Sequence, residues 1–173
     1  SMAWVYGIGL FAGIGIIVIT AERLFRLLTG RVTDAEIAAF GGEHDHSLPE
    51  GSTGNGIRVA TDGTLYVADY TGHAVLRIDP ATRLVSHHAR LPGAHQPNDI
   101  ALAPDGTLYA SDPDWSSDSG QLWRIDRDGA AHLLETGMGT TNGIEVSPDG
   151  RRLYVNESVQ RRVWAYDLDA HGS

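Results

Sequence analysis

The chain has no cysteine among its 173 residues, which excludes disulfides, a thiolate nucleophile and a Cys-ligated zinc. Positive charge is also scarce: 13 Lys+Arg against 22 Asp+Glu leave a formal charge of −9. Nucleic-acid binding needs clustered cations that neutralise phosphates, so this balance argues against it. The acidic excess suits a cation-binding mouth or a solvated surface. The chain has no Gly-x-Ser-x-Gly elbow to present a nucleophilic serine. Its N-terminal glycines lack the Lys or acidic partner that a phosphate-binding loop requires. What is abundant is glycine, 21 residues, alongside 20% charged and 42% apolar residues, a composition of turn-rich globular chains.

The glycines fall in a repeat. Asn55-Gly56-Ile57 leads to Asp62-Gly63 and Leu65-Tyr66, Asn98-Asp99-Ile100 to Asp105-Gly106 and Leu108-Tyr109, and Asn142-Gly143-Ile144 to Asp149-Gly150 and Leu153-Tyr154. The Asn residues are spaced by 43 and 44 residues, the period of a four-stranded propeller blade. Within each copy a short alternating stretch, an Asp-Gly turn and a β-rich run predict a hairpin. A third strand is expected at Val75 to Asp79, Leu122 to Asp126 and Val163 to Asp167. A weaker fourth is expected at Leu84 to His88 and at Ala131 to Leu134, and the last copy stops before its fourth strand.

Residues 4–20 carry no charge, and a run of 17 residues is at the lower limit for a membrane-spanning helix. Gly7, Gly9, Gly13 and Gly15 weaken a helix, however, and 14–19 is rich in β-branched residues. Leu24-Phe25-Arg26-Leu27 also repeats the third-strand pattern of Val75-Leu76-Arg77-Ile78. Residues 1–41 therefore read as a degenerate first blade, with a membrane anchor as the alternative, and 42–54 as a loop before the blades of 55–173. The strand reading favours a cytoplasmic location; an anchor implies a membrane-bound or periplasmic one. His44 and His46 flank Asp45 without a third ligand at defined spacing, a weak zinc signal.

Gln96-Pro97-Asn98-Asp99-Ile100, Leu108 to Pro113 and Thr141-Asn142-Gly143-Ile144 through Asp149-Gly150 resemble the senescence-marker-protein/gluconolactonase family. The last phrase is also similar to one in the paraoxonases, and the resemblance spans roughly residues 54–170. It implies an all-β, six-bladed β-propeller with a divalent cation, usually Ca²⁺, in its central channel, hydrolysing lactones or related esters. By that resemblance Asn98 and Asn142 are cation ligands. Hard cations prefer oxygen donors, and an amide oxygen supplies one without charge. Such a cation polarises a carbonyl while a carboxylate or His takes a proton from water.

Each candidate also has an ordinary role. Asn55 holds the equivalent place in the preceding copy, for substrate contact or turn chemistry. Asp99 follows Asn98 and either orients the cation shell or water, or caps a turn. His95 is the best-placed proton carrier, or a loop His. Asp114 and Trp115, in an enlarged loop running to Gly120, either meet substrate at the mouth or face solvent. Asp69, Asp112 and Glu157 align across copies, which points to a shared structural task.

Two departures from the family stand out. The chain offers no match to the N-terminal "EGP"-like phrase that supplies a Glu ligand, Glu50-Gly51 being out of place. It also ends before the blade that carries another acidic ligand. About four blades are present where six close the ring. A fragment, a shortened derivative or a two-chain ring follows, with self-association covering exposed edges. A non-catalytic propeller-derived scaffold with an incomplete cation site is the second functional class.

Overall fold

The computed structural model describes residues 48–168. The expected first blade, the apolar run and the His44/His46 pair lie outside these residues. Among the described residues eleven strands form three antiparallel sheets, each a meander whose neighbours in sequence are neighbours in space. The first sheet holds β1 (Gly54–Val59), β2 (Leu65–Asp69), β3 (Ala74–Ile78) and β4 (Val85–Arg90). The second holds β5 (Asp99–Leu102), β6 (Leu108–Asp112), β7 (Gln121–Ile125) and β8 (Ala131–Glu135). The third holds β9 (Thr141–Val146), β10 (Arg152–Glu157) and β11 (Arg162–Asp167). These are three blades of a propeller, and the 43- and 44-residue rhythm is their repeat.

The Asp-Gly turns show why the hairpins form where they do. Asp62, Asp105 and Asp149 each accept a backbone N–H two residues on, from Thr64, Thr107 and Arg151 at 2.9, 2.9 and 3.1 Å. The following glycine sits at φ 86° (Gly63), 92° (Gly106) and 71° (Gly150), a region that favours glycine. The third-strand expectations hold, whereas β4 begins one residue later than its pattern suggests. Leu84 closes the preceding turn instead, its carbonyl accepting the Asp79 N–H at 3.1 Å, and its side chain is exposed.

Alternation along each strand then builds the core between sheets. Ala68, Val75 and Ala89 of the first blade pack on Ile100, Leu108, Ala110, Trp123 and Ile125 of the second. The neighbouring positions of the same strands, Ala101, Tyr109 and Leu122, face the other way, onto Ile144, Val146, Leu153 and Val155 of the third. Both faces of the middle blade are thus covered, and every residue of β6 is buried. Each Leu- or Ile-sized side chain buried this way contributes about 1.5–3 kcal/mol.

The first and second blades approach closely at the start of their inner strands. The Gly56 N–H donates to the Asn98 carbonyl at 2.8 Å, and a Cβ at Gly56 would lie 2.4 Å from Asp99 Oδ1 and 2.7 Å from Asp99 Cα. Backbone at that distance does not yield as a flexible side chain does. Gly56→Ala is therefore expected to destabilise the chain by about 1–3 kcal/mol, read as a lowered midpoint in urea unfolding; an unchanged midpoint refutes the close approach.

Candidate functional site

The three repeated Asn residues stand at the entry ends of the inner strands, and in two blades a β-bulge places them. In the first blade Gly54 pairs with Asp69 and Ile57 with Val67, so Asn55 and Gly56 together oppose Ala68. In the third, Thr141 pairs with Glu157 and Ile144 with Val155, so Asn142 and Gly143 together oppose Asn156. The extra residue bends the strand and re-aims its side chains. Asn98 immediately precedes β5, its N–H donating to the Ser111 carbonyl at 2.8 Å.

Hydrogen bonds between blades gather these segments. Gly56, next to Asn55, is bonded to Asn98. Buried Ser111 donates its hydroxyl to the Asn142 carbonyl, and its Oγ accepts the Asp99 N–H at 3.1 Å. The Asn142 side chain donates Nδ2 to Ser158 Oγ at 3.0 Å, so its amide oxygen is the end left to accept a donor or bind a cation. Asn98 is partly buried and its side chain has no hydrogen-bond partner among the described residues, whereas Asn55 is exposed.

Asp99 lies between the first and third inner strands. Arg58 grips both its oxygens, Nη1 to Oδ1 at 3.2 Å and Nη2 to Oδ2 at 3.3 Å. The Ile100 N–H donates to Oδ1 at 2.9 Å and the Ile144 N–H to Oδ2 at 3.2 Å. The same guanidinium donates to the Ile144 carbonyl at 3.1 Å and lies 3.7 Å from Glu145. One charge-assisted and two backbone hydrogen bonds, with the second guanidinium nitrogen in ion-pair contact, engage the carboxylate. Arg58 had no motif to mark it, because its partners lie in other blades.

His95, Asp112 and Asp114 form a second group on the same blade. The His95 N–H donates to both Asp112 oxygens, at 2.9 and 3.0 Å, and the Gln96 N–H adds a third bond to Oδ1. Trp123 Nε1 donates to Asp112 Oδ2 at 3.1 Å. Asp69 holds the first blade likewise, accepting from Thr53 N–H at 3.0 Å, Gly72 N–H at 2.9 Å and Ser52 Oγ at 2.6 Å. These two carboxylates tie the segment before the inner strand to the end of the second strand. In the third blade Gln160 Oε1 takes that role, accepting Thr140 N–H at 3.1 Å and Oγ1 at 3.0 Å. Glu157 is 3% exposed, with Oε2 unpartnered among the described residues.

The His95 ring places Nδ1 3.9 Å from Asp114 Oδ2. Asp114 is held well below the usual carboxylate range, first by the Ser116 hydroxyl, then by the Ser117 hydroxyl and the Ser116 N–H. It therefore stays negatively charged, with its oxygens organising the loop, while adjacent Trp115 is 43% exposed. Among the described residues no group of three or more His, Cys, Asp or Glu is placed to hold a metal ion.

Comparison with known proteins gives a consistent set. The family described as SMP-30/Gluconolactonase/LRE-like region matches residues 24–173. A gluconolactonase from Zymomonas mobilis is 31% identical over 149 residues, covering 75% of this chain and 42% of that protein. Among solved structures, the calcium-binding protein regucalcin from Agrobacterium tumefaciens superposes with a TM-score of 0.60 at 23% identity, over 73% of this chain and 43% of that one. A gluconolactonase from Xanthomonas campestris gives 0.55 at 23% identity, over 67% and 44%. The structural likenesses carry the fold. The chain spans less than half the length of these relatives.

Two outcomes follow for the His95 group. Asp112→Ala strands the His95 and Gln96 N–H groups and the Trp123 indole N–H, and should cost about 3 kcal/mol in denaturant unfolding; a loss below 1 kcal/mol (about the value of one ordinary hydrogen bond) argues that these bonds are not made. Because Asp114 is depressed, its contribution to the loop is present above the ordinary carboxylate value and is lost only as pH falls through the lowered one. Its side-chain carboxyl carbon in NMR should therefore still report the ionised form at a pH of about 4, where an unperturbed Asp is half protonated. A midpoint there contradicts the serine cage.

Proposed function

Because the chain belongs to the SMP-30/gluconolactonase family, we propose that it is a hydrolase of lactones or related esters, working with a divalent cation, Ca²⁺ above all, at the entry ends of its inner strands. The observation that carries this reading is the convergence of Asn98 and Asn142 through Ser111, with the Asn142 amide nitrogen engaged by Ser158 and its oxygen left over. Neutral amide oxygens suit a hard cation, and Asn98 and Asn142 would hold it. When bound, the cation supplies Lewis-acid polarisation of the lactone carbonyl. Regucalcin's description as a calcium-binding protein supports the choice of ion.

The remaining roles belong to the side chains around that point. Asp99, clamped by Arg58, holds the first and third inner strands in register and orients Asn98 beside it. His95 is the proton carrier, taking a proton from the attacking water on its ring. Asp114, kept ionised 3.9 Å from that ring, offers a counter-charge to the imidazolium. Asn55, Asp114 and Trp115 border the mouth where a small-molecule substrate enters. Copies of the chain self-associate through exposed blade edges.

A scaffold reading is favoured by a different observation, the lack of a three-member acidic or His cluster among the described residues. Hydrolysis of a sugar lactone by the 173-residue chain separates the two. The hydrolase reading expects activity that a chelator removes and Ca²⁺ restores, and a fall of roughly 100-fold in kcat/KM for Asn142→Ala. No turnover, together with no heat of Ca²⁺ binding in calorimetry, leaves the scaffold.

A further inference from the structure

We propose that His88 is a proton-sensitive latch between the first and second blades, closed while its imidazole is neutral and released when the ring takes a proton. The latch is independent of the lactone reaction, for His88 lies on β4, the outer strand of its sheet, whereas the Asn residues belong to the inner strands. His87 pairs with Leu76 and Ala89 with Val75, so His88 is the extra residue of a β-bulge. A bulge re-aims the side chain it carries. The His88 ring meets Tyr66 edge-on, with centroids 5.0 Å apart and planes at 66°, and Tyr66 packs on the core that the two blades share. The β7–β8 turn of the second blade reaches the same residue. A Cβ at Gly129 (φ 88°) would lie 2.1 Å from the His88 carbonyl oxygen, so the turn backbone is seated directly on this part of β4. His88 Nε2 is buried there with no hydrogen-bond partner among the described residues.

The surroundings suit the neutral ring and not the charged one. Neutral imidazole can leave one nitrogen as a bare acceptor, but imidazolium carries an N–H on both, and the buried Nε2 would then need an acceptor that is not there. Arg77 of β3 adds a like charge. Burial first, and Arg77 after it, hold His88 below the ordinary His value, against the weaker pull of the Asp126 carbonyl and the Asp128 carboxylate from the turn. The other charges nearby are already engaged. Arg124 and His132 meet the Asp126 carboxylate at 3.1 and 2.8 Å, Arg77 lies 3.9 Å from Asp79, and on β4 itself Arg90 contacts the exposed His87 at 3.2 Å. A protonated His88 ring is relieved by turning out to water, which removes it from Tyr66 and unseats the turn. The unfolded chain takes this proton near pH 6.5 and the folded chain only below that, so the unfolded state binds more protons in between. The latch is fully closed above that pH and loosens as pH falls through the native value.

An NMR titration of the unaltered chain tests this directly. The His88 ring Cε1–H should titrate with a midpoint below that of an unperturbed His, and the backbone amides of Asp126 to Ala130 should shift with the same midpoint. Two variants separate His88 from its neighbour. His88→Gln should abolish that shift of the turn amides, whereas His132→Gln, which removes the other titratable ring at this turn, should keep it. Urea unfolding gives a second readout: between pH 7.5 and 5 the midpoint of His88→Gln should fall less than that of the unaltered chain. A ring midpoint at or above the ordinary His value overturns the latch, and so do turn amides that do not follow the ring or that follow His132 instead. Should His88→Gln fail to fold, the titration of the unaltered chain and of His132→Gln decides between these outcomes.

Discussion

Arg58, Asp99 and the Ile144 peptide form the contact on which the arrangement of the inner strands rests. One residue from each of three blades meets there: a guanidinium from β1, a carboxylate from β5 and a backbone N–H and carbonyl from β9. Partly buried charges are stable only when paired and hydrogen-bonded, and here both conditions are met. Geometry at the contact is narrow, because Gly56 lies against the Asp99 backbone where a Cβ would have no room. The Asn-bearing segments lie beside it, so their spacing is set by this contact rather than by the loops that lead to them.

Outside that contact the blades follow one plan with local substitutions. Asp69 and Asp112 each bind backbone N–H groups of the segment entering their blade, and Trp123 adds an indole donor to Asp112. In the third blade the same backbone position turns to Gln160, three residues beyond the aligned Glu157, which is buried without that partner. A repeat preserves the task of closing the strand end, while the residue that performs it changes. The apolar layers behave alike: Val75 and Leu122 are covered by the following blade, and the aligned Val163 is exposed. That difference comes from what lies next to the sheet, not from the residue.

Much of the fold was legible because its signals are local. Asp-Gly turns carry their own hydrogen bond and their own glycine φ, and strand alternation needs only neighbouring residues. The alignment of Asp69, Asp112 and Glu157 likewise pointed to a structural task, and two of the three perform it. The site was legible only in outline. Asn55, Asn98 and Asn142 could be singled out by phrase, but not the bulges that place two of them. Ser111 and Ser158 were invisible, since each acts on a residue 31 or 16 positions away. The resemblance to the family, carried by the Asn98 and Asn142 phrases, agrees with the match over residues 24–173.

By itself the sequence determined the blade repeat, the hairpin turns and the exclusion of thiol and phosphate-loop chemistry, because each depends on residue type and short spacing. Only the tertiary structure decided how the polar groups are used. Asp99 is free or engaged according to Arg58, 41 residues earlier in the chain, and Ile144, 45 residues later. Asn142 presents its oxygen because Ser158 takes its nitrogen. A side chain's remaining hydrogen-bond capacity is set by neighbours that other blades bring to it, and no spacing within one repeat encodes that.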